Sequence, residues 1–228
     1  MSFAQARQKL KYSIRAFVAS RGALLVQYDR GERRERLQML ASARRARPLM
    51  LSECDAAQLV SAVNASRDVP GCMAEIGVAY GTSARIISRL CPEKTLHLFD
   101  TFKGLPALTE HDSHDIFKQG TLGCPLDSVQ DFLRGEPVVF HQGLFPAETG
   151  HHVASERFSF VHLDVDLYEG TLGSLEFLYP RMSPGGIILG HDYLVSKGVT
   201  KAFTEFFALK PEPLIELIGT HCLVVKLA

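Results

Sequence analysis

The sequence predicts an α/β fold: a doubly wound, mostly parallel sheet of seven strands, closed by a C-terminal antiparallel hairpin and preceded by N-terminal helices. Three observations carry this expectation. From residue 72 onward, short apolar runs alternate with segments of helical spacing, the pattern of βαβ units. The last two apolar runs are joined by too few residues for a crossover, so they must pair antiparallel. Acids and glycines stand where the apolar runs end, which is where open α/β sheets bind their ligands.

Taken in order, residues 2–20 and 31–45 carry apolar residues at roughly helical spacing among many arginines, and read as helices. Pro48 breaks that pattern. Ser52 and Asp55 stand as a capping box with Asp in place of the usual Glu, opening a helix to about Ser66. "CMAEIGV" (72–78) reads as a strand, "TSARIISRL" (82–90) as a helix and "TLHLFD" (95–100) as a strand. A polar stretch rich in His and Gly runs from 103 to 125, followed by a helix at about 126–134. "PVVFHQG" (137–143) and "FSFVHLD" (158–164) are strands, and "TLGSLEFLYPRM" (171–182) is a helix. "GGIILGHD" (185–192) is a strand and "VTKAFTEFF" (199–207) a helix; "PLIELIG" and "HCLVVKLA" form the closing hairpin.

A chain of 228 residues that is 46% hydrophobic can bury one sizeable core and still carry an extension. We divide it into a basic helical extension or lid, 1–50, and a sheet domain, 51–228. Formal net charge is zero, but residues 1–50 hold 12 Lys+Arg against 3 Asp+Glu, and the remainder 13 against 22. The basic segment is expected to dock on the acidic domain; an acidic partner or an anionic membrane surface is the alternative. Five scattered cysteines (Cys54, Cys72, Cys91, Cys124, Cys222) without CxxC spacing suggest a reducing compartment. Neither a signal peptide nor an apolar span of ~18 residues is visible. A cytoplasmic, soluble chain with no transmembrane segment is the expectation.

The glycine turn "AEIGVAYGTS" (74–83) links a strand ending in Glu75-x-Gly77 to a helix opened by Gly81, Thr82 and Ser83, with Tyr80 between. Glycines there let a backbone approach a ligand closely. The spacing is GxxxG, not the GxGxxG of dinucleotide sites. Asp100, at the end of the second strand, is placed to accept ribose hydroxyls, with a helix N-cap as the competing role. Together they favour an adenosine-containing cofactor. Asp164 and Asp166 follow the fourth strand, and His191 and Asp192 end the next one. Three carboxylates and an imidazole around one crevice suit a divalent cation. Oxygen-rich ligation favours Mg²⁺, and the imidazole admits Mn²⁺, Fe²⁺ or Zn²⁺. Other histidines are less telling: His111 and His114 flank Asp112 in a polar loop, His151 and His152 sit in another, and His97 lies mid-strand. Phe203, Phe206 and Phe207 have helical spacing and read as core.

"AEIGVAYGTSARIIS", "LHLFDTFKGLP", "FHQGLFP", "FVHLDVDLYEGTLGSLEFLYPRMSPGGIILGHDY" and "GVTKAFTEFF" resemble, in order, the TylF/MycF (macrocin O-methyltransferase) family from about residue 50 to 207. The resemblance implies a class I (Rossmann-like) S-adenosylmethionine-dependent methyltransferase fold and Mg²⁺-dependent methyl transfer to a hydroxyl of a sugar or other vicinal diol. It also implies N-terminal helices covering the site in a homodimer, and a small-molecule acceptor rather than nucleic acid. Carried onto this chain, the cofactor would meet Glu75, Gly77, Tyr80, Gly81, Thr82, Ser83 and Asp100, with Asp164 beside it. Asp164, His191 and Asp192 would hold the metal, and Asp166 would be the general base. The family has two adjacent acids where this chain has His191-Asp192. His191 is therefore either a ligand, or a catalytic base or substrate contact. Two competing readings are a methyltransferase for a catechol or an N-nucleophile, and a non-catalytic cofactor-binding or assembly subunit. A nicotinamide-dependent oxidoreductase is disfavoured by the missing GxGxxG.

Overall fold

A computed structural model describes residues 3–21 and 33–228. The chain forms two compact units, Met1–Gln38 and Met39–Ala228. The first contains α1 (Phe3–Ala19) and the start of α2 (Arg33–Ala46). Residues 2, 31 and 32 of the expected helices lie outside the described residues.

The end of α2 belongs to the second unit, where Leu40 and Ala43 join the core. There follow α3 (Glu53–Ala65), β1 (Cys72–Ile76), α4 (Thr82–Leu90), β2 (Leu96–Asp100), α5 (Leu126–Phe132) and β3 (Val138–Gln142). Then come β4 (Phe158–Leu163), α6 (Tyr168–Leu178), β5 (Met182–Gly190), α7 (Lys197–Phe207), β6 (Ile215–Glu216) and β7 (Cys222–Val225). The seven strands form one sheet in the order β3-β2-β1-β4-β5-β7-β6. All neighbours are parallel except β5–β7 and β6–β7. This is the expected doubly wound sheet with its closing hairpin.

The sheet is covered on both faces, so its central strands carry no polar side. All six residues of β4 are buried. On one face Met73, Leu96, Leu98 and Leu189 pack with Leu59, Val63, Ile86 and Ile87 of α3 and α4. On the other, Ala74, Ile76, Val161 and Ile188 pack with Leu175 and Leu178 of α6 and Phe203 of α7. The period-2 alternation along β1 thus feeds two cores. The chain winds outward from β1 to β2 and β3, then returns to β4 on β1's other side, so the switch point lies between β1 and β4.

The capping box forms as expected: Ser52 caps α3 and accepts the Asp55 N–H at 3.2 Å. Other boundaries moved. Helix α6 starts three residues before the expected position, because the Asp112 carboxylate, 56 positions upstream, accepts the Tyr168 N–H at 2.8 Å. That satisfies a first-turn donor that has no partner inside the helix. The helix ends at Leu178, and Tyr179–Arg181 tightens into a 3₁₀ turn at Pro180, which lacks the N–H needed to continue. β6 shrinks to two residues beside Pro213. A second 3₁₀ turn, Gly150–Val153, occupies a segment with no expected element.

The C-terminal strand is anchored by Glu212. Its side chain is buried, accepts from Lys226 Nζ at 2.7 Å and the Leu227 N–H at 3.1 Å through one oxygen, and from the Tyr179 hydroxyl at 2.7 Å through the other. Lys226 also lies over the Tyr179 ring, 4.3 Å from its centre. Burial alone would raise the carboxyl pKa, but these donors outweigh it and hold the group at about 2. Glu212→Gln is expected to cost about 3 kcal/mol in chemical denaturation, the scale for breaking a buried ion pair. Because the folded value is depressed, the wild-type contribution is present above the ordinary carboxylate range and drains away as pH falls toward 2. The variant's stability deficit should therefore shrink in acid, and a deficit that persists unchanged at pH 2.5 would contradict this account.

Candidate active site

A cavity of about 570 Å³ opens beyond the carboxyl ends of β1, β2, β4 and β5. Two loops meet in it. The first is the glycine turn after β1. Gly77 has φ +87°, and a Cβ there would lie 1.8 Å from the Asp164 carbonyl oxygen. No other residue fits, so the turn after β1 and the acid loop after β4 touch through bare backbone. Gly81 has φ +78° and caps α4 without a side chain. Gly77, Tyr80, Thr82, Ser83 and Asp100 all line the cavity. Gly81 sets the turn's shape but is not on the wall.

Asp100 does more than the sequence suggested. Its Oδ2 accepts the N–H groups of Val78 (2.7 Å) and Ala79 (3.0 Å), and its Oδ1 accepts that of Phe102 (2.7 Å). It therefore locks the glycine turn and its own loop, with lone pairs left for a ligand. The Thr82 hydroxyl donates to the Pro48 carbonyl at 2.7 Å, so it fastens the segment after α2 over the turn. Arg47 completes that tie: its guanidinium reaches Tyr80 O (3.3 Å) and Ser128 O (2.9 Å) and stacks on Phe132 at 4.6 Å. Neither Arg47 nor Ser128 carried a sequence signal beyond belonging to a basic segment and a short helix.

Glu75 stands apart from the cavity wall. It is fully buried in β1 and faces its cross-strand partner His162 on β4, with Oε1 2.8 Å from Nδ1. Burial raises the Glu75 pKa, and His162 and Ser83 oppose the rise. His162 and His221 each bury an Nε2 with no partner among the described residues. His221 rests edge-on against His191 at 5.1 Å and is held by Gln58 (3.0 Å) and Asp55 (3.5 Å) of α3. Asp55, expected only in a capping box, is thus also a support beneath the site.

The second loop carries the acids. β4 ends at Leu163, so Asp164 and Asp166 no longer alternate as strand residues. Both still line the cavity, because Asp166 takes the left-handed φ of +64°. Asp192, after β5, does the same at φ +57°. Non-glycine residues avoid that region, and such strain gathers at functional sites. β4 and β5 are neighbours, so the two acid-bearing ends meet as the sequence suggested. His191 Nδ1 lies 2.9 Å from Asp164 Oδ1 and 3.3 Å from Asp192 Oδ1. Ligand atoms of Asp164, His191 and Asp192 fall within 4.8 Å of one another.

The electrostatics divide the acids. Burial would raise Asp164, but the charge and hydrogen bond of His191 overcome it and hold its pKa at about 2. Burial would lower His191, and Asp164 and Asp192 push it up instead, to about 9. Asp166 is raised well above the usual range by burial, then by Asp164 and Asp192. Three carboxylates so close repel, and a cation among them relieves the repulsion. The donor set, two carboxylates and an imidazole, fits a divalent ion.

The polar 103–125 stretch forms the far wall through Leu105, Pro106, Ile116 and Phe117. Asp112 organises it, accepting the Thr109 N–H (2.7 Å) and hydroxyl (2.9 Å) as well as the start of α6. Glu169 of α6 and Leu144 after β3 complete the lining, and neither had been singled out.

The profile of the macrocin O-methyltransferase (TylF) family matches residues 16–220. A tetracenomycin rhamnosyl 4'-O-methyltransferase of Streptomyces olivaceus is 33% identical over 149 residues, 56% of this chain and 54% of that protein. The mycinamicin III 3''-O-methyltransferase of Micromonospora griseorubida is 32% identical over 151 residues, 58% of this chain and 59% of that one. The chain therefore spans little more than half the length of these relatives. Among solved structures, the O-methyltransferase NovP superposes with a TM-score of 0.64 at 25% identity, covering 75% of this chain and 79% of that one. A Bacillus cereus O-methyltransferase with bound SAH shares the fold at TM-score 0.59 and 16% identity, over 95% and 97% of the two chains. The sheet is that of the class I methyltransferases, and the chain belongs to the macrocin O-methyltransferase (TylF) family.

Proposed function

We propose that this chain is an S-adenosylmethionine-dependent O-methyltransferase that methylates a hydroxyl of a sugar carried on an apolar natural-product scaffold. The observation that carries the reading is the meeting of a glycine turn braced by Asp100 with a strained acid loop bearing Asp164, Asp166, His191 and Asp192 in one cavity. The cofactor supplies the methyl group, and the turn, Tyr80, Ser83 and Asp100 hold it at the β1–β2 side. Asp164, His191 and Asp192 would hold a divalent ion, Mg²⁺ being favoured by the carboxylates and a softer ion by the imidazole. Held there, the ion would supply Lewis acidity toward a bound hydroxyl. Asp166 receives the acceptor's proton on its carboxylate, and Asp192 bonds to that carboxyl. Apolar walls exclude water, and most of the acceleration comes from aligning hydroxyl and methyl. The basic segment 1–50 is read as a cover in a cytoplasmic homodimer. Arg47 and Thr82, which fasten its end to the glycine turn, support the cover, and five free cysteines support the compartment.

Two features support a neutral, apolar-bearing acceptor. Among the described lining residues there is no Lys or Arg, while Asp100, Asp112, Asp164, Asp166, Glu169 and Asp192 are all acids. A sugar nucleotide would bring a pyrophosphate against that field. The rim instead exposes Met50, Ile116, Leu144 and Val195, a surface for an aglycone. The named activities of the Streptomyces and Micromonospora relatives point the same way.

Calorimetry should detect S-adenosylhomocysteine binding to the wild type and a loss of at least about tenfold in Asp100→Ala, because bracing and ribose contact fail together; absence of binding at millimolar ligand would remove the cofactor from the proposal. With a working acceptor, Asp164→Asn should weaken metal affinity and recover activity with excess metal. Asp166→Asn should keep its metal affinity and lose roughly 10²–10⁴ in turnover, unrescued by metal. Unchanged metal affinity in both Asp164→Asn and Asp192→Asn would rule out a metal there. Rhamnosyl glycosides of polyketides should be methylated at least about tenfold more efficiently than a nucleoside-diphosphate rhamnose, the discrimination expected from about 1.4 kcal/mol of charge repulsion. Preference for the sugar nucleotide would reverse the acceptor assignment while leaving the methyltransferase reading intact.

A further inference from the structure

Four histidines that the reaction does not use converge on the outer edge of the sheet. His97 on β2 and His141 on β3 lie on the same sheet face, because His97 pairs with Val139 and His141 with Phe99. His97 Nδ1 is 3.0 Å from His141 Nε2. The His141 ring also stacks on His152 at 5.3 Å, and His152 sits 3.9 Å from His151. The last two are exposed on the 3₁₀ turn Gly150–Val153.

His162 and His221, buried beneath the cavity, are each partnered by a carboxylate. Among the described residues, none of these four bonds to one. We propose that His97, His141 and the His151–His152 pair form a second metal site, taking an imidazole-seeking ion of the Zn²⁺, Ni²⁺ or Cu²⁺ class rather than Mg²⁺. Two imidazole nitrogens on one tetrahedral Zn²⁺ stand about 3.3 Å apart, from Zn–N bonds of about 2.0–2.1 Å. The His97–His141 separation of 3.0 Å is already close to that span. A third nitrogen would come from His152 or His151, whose exposed rings would turn toward the pair. The chemistry is imidazole alone, which selects against the hard, oxygen-seeking ion suited to the cavity. Burial, then the neighbouring imidazoles, push His141 down to about 4, and burial lowers His97, so both keep their lone pairs at neutral pH. An ion here ties the 3₁₀ turn to β2 and β3 and brackets residues 143–149, whose Gly143, Leu144 and Phe145 form part of the cavity wall.

The test is titration of untagged, chelator-stripped protein with Zn²⁺ by calorimetry, comparing the wild type and Asp164→Asn with Asp164→Asn to which His97→Gln or His151→Ala/His152→Ala is added. The double variant changes exposed residues and should fold normally, which its thermal unfolding checks. Asp164→Asn should retain one Zn²⁺ equivalent, which should weaken by at least about tenfold when either histidine change is added to Asp164→Asn, the minimum expected on losing a ligand. Hydrogen exchange of residues 143–149 should slow with Zn²⁺ in Asp164→Asn but not in the double variant. Unchanged Zn²⁺ affinity on adding either histidine change to Asp164→Asn, or loss of the equivalent in Asp164→Asn itself, would overturn the site.

Discussion

The site depends on a backbone contact. Gly77 and Asp164 meet where β1 and β4 part, close enough that even one methyl group would collide with the Asp164 carbonyl oxygen. The Asp164 N–H bonds Ile76 O at 2.8 Å and the Gly77 N–H bonds Phe99 O at 2.9 Å. The ends of β1, β2 and β4 are therefore one hydrogen-bonded edge. The turn that faces the cofactor side and the loop that carries the acids cannot move independently. Placing a methyl donor in line with an acceptor needs that coupling, since small displacements are costly in such reactions.

Charge is the second constraint, and it is handled in layers. Beneath the cavity, acids alternate with imidazoles: Glu75 with His162, Asp164 with His191, and Asp55 with His221. The rings lie 5.1 to 6.5 Å apart, so each pair feels the next. His221 is driven down to about 3 by burial and by the other two histidines, which leaves it neutral. At the cavity surface Asp166 and Asp192 are raised rather than lowered, first by burial and then by the neighbouring Asp164. One loop thus holds two carboxyl groups whose pKa values are pushed in opposite directions, the division of roles that acid–base chemistry exploits. His191, pushed up to about 9 by Asp164 and Asp192 against the effect of its burial, is what supplies the positive charge within this cluster.

How far the sequence could be read differs by element. Strand identity was legible throughout the sheet, because central strands buried on both faces leave continuous apolar runs such as "FSFVHL". The site acids were legible because they follow those runs directly. The glycine turn was legible as a turn, but Glu75 within it looked like a ligand residue and is a buried partner of His162. Nothing local distinguishes those roles, since they depend on which strand pairs with β1. Helix α6 was misplaced for a similar reason: its first donor is satisfied by Asp112 from a distant loop, and no nearby cap exists to read.

The sequence by itself determined the alternation of strands and helices, the antiparallel close, and which acids and glycines stand at strand ends. Those follow from periodicity and from the conformational freedom of glycine, both local properties. Tertiary structure decided the rest. It set Asp100 to bracing Val78 and Ala79, turned Asp166 and Asp192 into a left-handed backbone, and brought His97, His141, His151 and His152 to one edge. Each of these is a contact between segments far apart in the chain, or a strain that only such contacts can hold. The physical reason is that hydrogen bonding and charge act through space, and only the winding of the sheet says which residues share it.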